Sequence, residues 1–427
     1  MGIVLGKAAW FAVGFCVAAT ACLAIVNFSS GETQIERHVD RTHSIGDAEF
    51  AHELGVLLGP PFVQGNQATV LLNGDEIFPP MLEAIAEAQT SITFETYIYW
   101  SGDIGRRFAA ALAEAAKRGV KCHVLLDWLG SAKMDEDLIN QMAAAGVEVR
   151  RFHPPHWSHL ARLNNRTHRK LLVVDGRIGF TGGVGIAPEW TGHAQDPEHW
   201  RDTHFQIAGP VVAQMQAVFL DNWTKVTGKV LHGPHYFPQL TTPGKMAAQV
   251  FSSSPSGGSE SMQLMYLFAI TAAAKTIDLS ASYFVPDELT QNALIDAMHR
   301  GVKVRIVVPG GHIDSETVRS ASRANWGALL LAGAVIAEYG PTMYHCKVLI
   351  VDGLLTSVGS TNFDNRSFRL NDEATLNIID ASFAAQQTAI FEADLAKSKV
   401  IGFVEWSNRP WKEKAADWFS RAVASQL

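Results

Sequence analysis

The chain has 427 residues, enough for more than one domain, and 47% of them are hydrophobic, enough for a sizeable core. The formal net charge of -7 argues against broad electrostatic capture of nucleic acid, which depends on clustered Lys and Arg. The cysteines, Cys16, Cys22, Cys122 and Cys346, form neither a CxxC pair nor a His/Cys cluster, so neither a structural zinc site nor a disulfide framework is indicated.

The first feature in chain order is an uncharged, proline-free run over 8–26, close to the ~20 residues that cross a bilayer as a helix. Trp10 and Phe11 sit at one end, as interfacial aromatics do. Segment 1–30 is therefore expected to be a retained transmembrane anchor. The competing expectation is a cleaved signal peptide, with the small residues at 18–21 as its cleavage region. Lys7 is the single charged side chain before the run, and it leans the N-terminus toward the cytoplasm and the body toward the far side.

Segment 31–67 reads as a connector broken at Gly59-Pro60-Pro61. A first unit over 68–226 follows. Its reading is a strand over 68–72 ended by an Asn73-Gly74 turn, a helix over 81–88 and a strand over 91–100. A helix over 105–118, a strand over 120–128, a helix over 133–145 and a strand over 147–152 complete the pattern. Residues 227–245, rich in Gly and Pro, read as a linker. A second unit over 246–400 repeats the order, with helices over 260–274, 290–300 and 319–332 and strands over 276–284, 302–308 and 335–339. The tail, 401–427, carries an amphipathic stretch over 412–424 that is expected to pack on the body rather than lie on a membrane. Strands alternating with helices predict an α/β fold with a parallel or mixed sheet.

The two units share local phrases. Lys117-Arg118-Gly119-Val120-Lys121 parallels His299-Arg300-Gly301-Val302-Lys303, and Glu95-Thr96-Tyr97-Ile98 parallels Ala281-Ser282-Tyr283-Phe284. This is a tandem duplication. The halves differ in length before their central phrase: 22 residues separate Gly146 from His168, but 12 separate Gly333 from His345. The extra stretch includes His153-Pro154-Pro155-His156-Trp157-Ser158-His159-Leu160, either a surface loop held by its prolines or a segment touching a lipid or acceptor. Its histidines do not have the spacing of a helical two-His metal site.

The central phrase is His168-Arg169-Lys170 followed by Leu171-Leu172-Val173-Val174-Asp175, and again His345-Cys346-Lys347 followed by Val348-Leu349-Ile350-Val351-Asp352. Both read His-x-Lys-x-x-x-x-Asp, and each runs on to a turn at the same offset, Gly182-Gly183 and Gly359-Ser360. In a strand, residues two apart share a face, so each His and Lys should project together. Two imidazoles and two ammonium groups in one pocket make a phosphate site. The lysines stabilise charge developing on phosphorus, one neutral His attacks, and the other, protonated, serves the leaving oxygen. An unperturbed imidazole pKa near ~6.5 would allow both states near neutral pH. The lysines supply the positive charge, so no metal or other cofactor is called for. Asp202 and Glu373 follow the histidines at 34 and 28 residues, and either could fix an imidazole tautomer. Asp175 and Asp352 suit the turns that end the strands. Ser360 and Asn362 offer small polar donors to a phosphate, where the first half has Gly183 and Gly185.

These paired phrases resemble the phospholipase D superfamily. Within it, Phe94-Glu95-Thr96-Tyr97-Ile98, Tyr283-Phe284-Val285-Pro286-Asp287, Asn371-Asp372-Glu373 and the run from Gly359 to Phe368 are similar to the cardiolipin synthases. The resemblance implies two tandem phospholipase D-like α/β/α sandwich domains related by an approximate two-fold axis. It implies a catalytic set of His168, Lys170, Asp175, His345, Lys347 and Asp352, with His168 as nucleophile and His345 as general acid. It further implies phosphatidyl transfer through a phosphohistidine between two phosphatidylglycerol molecules, at a bacterial inner membrane. A hydrolase of the same superfamily is the main rival, with a nuclease and a noncatalytic lipid-binding protein as the lesser ones. Gly185 departs from the pattern, since the family has Asn there.

Overall fold

The computed structural model describes residues 10, 12–22, 35, 37–155, 164–255 and 262–421. Residues 12–22 are helical, but much of the anchor expected over 1–30 lies outside the described residues, as do 156–160 of the proline-held loop. Among the described residues no helix is long and apolar enough to cross a membrane.

The first half supplies strands β1 (Val63–Leu72), β2 (Ser91–Thr96), β3 (Lys121–Asp127), β4 (Glu148–Phe152), β5 (Arg166–Thr167), β6 (Leu171–Val174), β7 (Ile178–Gly182) and β8 (Thr203–Ala208). The second supplies β9 (Met246–Ser253), β10 (Thr276–Ala281), β11 (Phe284–Val285), β12 (Lys303–Pro309), β13 (Val335–Tyr339), β14 (Lys347–Val351), β15 (Leu355–Gly359), β16 (Phe363–Asp364), β17 (Asn371–Ile379) and β18 (Ser398–Ile401). Among the described residues, one mixed sheet runs in the order β18-β13-β12-β10-β14-β15-β17-β9-β1-β8-β7-β6-β2-β3-β4, with β5 paired to β17, and β11 and β16 form a separate two-stranded sheet. Read outward from the β1–β9 joint, the order is palindromic apart from the edge strand β18, which has no counterpart. Thus β8 answers β17, β7 answers β15, β6 answers β14, β2 answers β10, β3 answers β12 and β4 answers β13. The duplication read from the sequence is therefore a two-fold arrangement about that joint.

Alternation along the central strands builds the layers. Leu172 and Val174 enter a core with Ile77, Phe108 and Leu112 of the helices Asn73–Glu87 and Asp103–Lys117. Leu171 and Val173 point the other way, into a core with Met215 of the helix Val212–Thr227 and with Val348 and Ile350 of the second half. Leu349 and Val351 face a third core with Met265 and Ile270. Helices thus cover both faces of the sheet, the mixed α/β arrangement expected. One of the cores is common to both halves.

Several expectations are revised. The connector is not a spacer: Phe50, Leu54 and Leu58 of the helix Ala48–Leu58 are buried in the second half's core, because apolar positions four apart line one face. Asn73-Gly74 opens the helix Asn73–Glu87 instead of making a turn, with Glu76 accepting the Leu72 N–H. The helix expected over 319–332 is interrupted at Asn325 into Glu316–Ala324 and Trp326–Leu331. The Gly/Pro-rich stretch over 227–245 does not hold two separate bodies apart. Leu231 and Tyr236 are buried against Phe152 and Trp223, and β1 pairs β9 directly. The tail helix Trp411–Arg421 packs on the body through Arg323–Glu413, as expected.

Candidate active site

Each histidine is held at the entrance to its central strand by the opposite half. The His168 N–H donates to the Asp372 carbonyl at 2.9 Å, and the His345 N–H donates to the Arg201 carbonyl at 2.8 Å. The residues following those carbonyls are Glu373 and Asp202, and the side chains repeat the crossing. His168 Nδ1 donates to Glu373 at 2.8 Å, and His345 Nδ1 donates to Asp202 at 2.7 Å. The carboxylate after each histidine in sequence therefore serves the other histidine. A carboxylate can only accept here, so each Nδ1 carries its proton and each Nε2 is left with a lone pair.

Both carboxylates are fully buried and well supplied with donors. Glu373 accepts from Ser360 Oγ at 2.5 Å and Ser367 Oγ at 2.7 Å. Asp202 accepts from Trp190 Nε1 at 2.9 Å and the Thr203 N–H at 2.8 Å. Burial pushes both carboxyls up, but the adjacent imidazole and ammonium outweigh it, and the net direction is down in each. They remain charged.

Burial lowers His168 to about 4 and His345 to about 3, so the expectation of imidazoles titrating near their ordinary value does not hold. Burial thus favours the neutral form of both. An incoming phosphodiester anion favours the charged form and supplies the reason for one of them to take a proton. Lys170 is lowered to about 7, first by burial and then by Lys347, which is itself lowered by burial. Lys170 Nζ donates to the His168 carbonyl and Lys347 Nζ to the His345 carbonyl, each at 2.8 Å. Each pair thus projects to one side, although β6 itself begins only after Lys170.

His168, Lys170, His345 and Asn362 line one cavity of about 590 Å³, a size that suits a small ligand or a lipid headgroup. Lys347 stands behind His345, bonded to Ser282 Oγ, which in turn donates to Asn362. Ser360 is turned to Glu373 and the Ala374 carbonyl, so it supports the carboxylate rather than the cavity. Asp175 and Asp352 are not brought to the cavity. Asp175 accepts the N–H groups of Gln89, Thr90 and Ser91, and Asp352 those of Ala274, Lys275 and Thr276. Both lie in left-handed turns, φ 53° and 55°, and they anchor the hairpin ends.

Three aromatics escaped the sequence reading. Trp190 and Trp200 lie 5.3 and 5.4 Å from the His345 ring, and Tyr97 lies 5.2 Å from the His168 ring. A signal for Trp190 existed: it stands 22 residues after His168, as Ser367 stands 22 after His345, and the two make the same bond to opposite carboxylates. Ile98 and the indole also account for Gly185. A Cβ there would come 2.7 Å from Ile98 and 3.0 Å from the Trp190 ring, so no Asn side chain fits.

The family described as "cardiolipin synthase, PLD-like domain" matches residues 81–223 and 266–395, more than half of the chain. The chain belongs to the cardiolipin synthase family. A cardiolipin synthase of Geobacillus sp. strain WCH70 is 35% identical over 89% of this chain and 75% of its own. Cardiolipin synthase A of Pseudomonas fluorescens strain Pf-5 is also 35% identical, over 80% and 71%. Among solved structures, the phosphatidylserine synthase of Haemophilus influenzae superposes with a TM-score of 0.67 over 90% of this chain and all of that one. At 15% identity that likeness speaks for the fold alone. Membership of this family makes the protein an enzyme, a phosphatidyltransferase of the phospholipase D superfamily.

Proposed function

We propose that the protein joins two phosphatidylglycerol molecules into cardiolipin and glycerol by way of a phosphohistidine. The observation that carries this is the crossed pairing of two buried imidazoles with two buried carboxylates around one cavity. The lone pair of His168 Nε2 attacks the phosphorus of the first lipid. A P–N bond forms, the P–O bond to glycerol breaks, and protonated His345 gives its proton to the departing oxygen. His345, now neutral, takes the proton of a hydroxyl on the second lipid, whose oxygen attacks phosphorus and breaks the P–N bond. Lys170 and Asn362 steady the phosphate oxygens from the cavity wall, Lys347 adds its charge from behind His345, and Glu373 and Asp202 fix the imidazole tautomers. The apolar run over 8–26 is the proposed anchor holding the pocket at a bacterial inner membrane. The family relationship and the pocket chemistry support this reading.

The test is incubation of the purified full chain with phosphatidylglycerol vesicles, followed by lipid analysis. Cardiolipin and glycerol in equal amounts are expected, with an acid-labile adduct on the peptide bearing His168. Phosphatidic acid as the sole product would make the protein a hydrolase instead.

A further inference from the structure

The two-fold arrangement makes the halves of the cavity comparable position by position, and one corner breaks the match. Two residues before His168 stands Arg166, and two before His345 stands Met343. Twenty-one residues after His345 stands Arg366, and 21 after His168 stands Glu189. Arg166, Arg366 and Glu189 all line the cavity. One side of a near-symmetric site therefore carries two guanidiniums where the other has a thioether and a carboxylate. The reacting phosphate sits between two equivalent His/Lys pairs and gives no reason for such a bias.

Arg166 is 7% exposed, and its Nε is buried without a hydrogen-bond partner. Its one hydrogen bond among the described residues runs from Nη1 to the Asn165 carbonyl at 3.3 Å. It makes no ion pair among the described residues. The Asp127 carboxylate accepts from the N–H groups of Leu129, Gly130 and Thr167, and it acts on Arg166 through charge without a direct hydrogen bond. The guanidinium lies over the Trp128 ring at 5.0 Å. Arg366 is braced from behind, donating to the Asn164 carbonyl and side chain at 3.1 and 2.8 Å. A buried guanidinium whose Nε–H has no acceptor is costly unless one arrives to complete it. Planar guanidiniums are the groups that meet phosphate oxygens in pairs.

We propose that Arg166 and Arg366 form a second anion subsite, which binds the phosphodiester already present in the accepting lipid. The inference rests on the transferase reading and adds to it a reason for choosing an acceptor. Water and free glycerol carry no phosphate, and phosphatidylglycerol does. A corner that draws in the acceptor's own phosphodiester concentrates the correct hydroxyl near the phosphohistidine and works against hydrolysis.

The experiment uses the full chain, labelled phosphatidylglycerol as donor, and two soluble acceptors, glycerol and glycerophosphoglycerol, which differ by a phosphodiester-bearing group and have no acyl chains. The wild type should prefer glycerophosphoglycerol. Arg166→Gln and Arg366→Gln should each lower the ratio of the two transfer rates roughly tenfold, the loss of one charge-assisted hydrogen bond. Arg166→Lys, which keeps the charge, should retain part of the preference and guards against a variant that merely folds poorly. A parallel fall with both acceptors would overturn the proposal, since the corner would then serve the donor or the fold. Inhibition by inorganic phosphate that vanishes in both Gln variants, with the acceptor ratio unchanged, would assign the corner to free phosphate and also overturn it. A wild type that transfers to neither acceptor but still forms cardiolipin from the labelled phosphatidylglycerol overturns this proposal alone, and one that forms no cardiolipin either sinks the transferase reading with it.

Discussion

At the scale of single residues, the pocket works by burying charge and then controlling it. Lys170 is the clearest case. Burial and the neighbouring Lys347 bring it to about 7, so the free enzyme loses this ammonium as pH rises through neutrality. The expected result is a fall in kcat/KM above about pH 7, because that constant reports the free enzyme. Bound phosphodiester favours the charged lysine, so the corresponding limb in kcat should lie at higher pH. Lys170→Arg holds its charge throughout and should carry the kcat/KM limb upward. A pH profile unchanged by that substitution would remove Lys170 from the titration, leaving Lys347 as the other member of the coupled pair. The lysines were legible in the sequence, but their low affinity for protons was not, because desolvation is a property of the closed pocket.

At the scale of elements, the turns after the central strands decide how the carboxylates sit. Gly183 follows β7, and a Cβ there would lie 2.2 Å from Asp202 Oδ1. Its counterpart Ser360 instead places a hydroxyl 2.5 Å from Glu373. The shorter acid needs an empty position beside it, and the longer acid accommodates a donor. Gly183→Ala should therefore push Asp202 away from His345 Nδ1 and lower kcat by about 10²-fold, the scale of a 1 Å misplacement, with the fold retained. Ser360→Ala leaves Glu373 its other donors and should cost less. Steady-state rates alongside thermal unfolding check this, and equal effects from the two substitutions would contradict it. The alternating strands and helices that lead up to each central phrase were visible in the pattern of apolar residues, whereas β7, β8, β9, β15 and β17 and the helices Val212–Thr227 and Ala381–Leu395 were not anticipated. The helix beginning at Asn73 was hidden because an Asn-Gly pair is a strong turn signal, whereas here a glutamate four residues after Leu72 closes a helix start.

At the scale of the whole molecule, the halves cannot be separated without dismantling the site. β1 pairs β9, β5 pairs β17, and Arg201 of the first half forms a two-point ion pair with Asp394 of the second at 3.0 and 2.9 Å, both residues buried. Each histidine takes its backbone acceptor and its carboxylate from the other half. Because both halves belong to one chain, His168→Ala and His345→Ala should each be nearly inactive, and mixing the two purified variants should restore nothing. Recovery of activity on mixing would show that the site is exchanged between chains, contrary to the intramolecular pairing.

The sequence by itself determined the duplication, the paired His and Lys, the alternating cores and the family, because these are set by residue identity and short spacing. The roles of Asp202 and Glu373 were open in the sequence, as were the place of Gly185 and the charge bias at Arg166. The tertiary structure decided them. It crosses the carboxylates between halves, fills the space beside Gly185 with Trp190, and leaves Arg166 buried beside the reacting groups. The physical reason is that hydrogen-bond partners across a two-fold arrangement lie 143 and 205 residues apart, and no local pattern records which half will supply them.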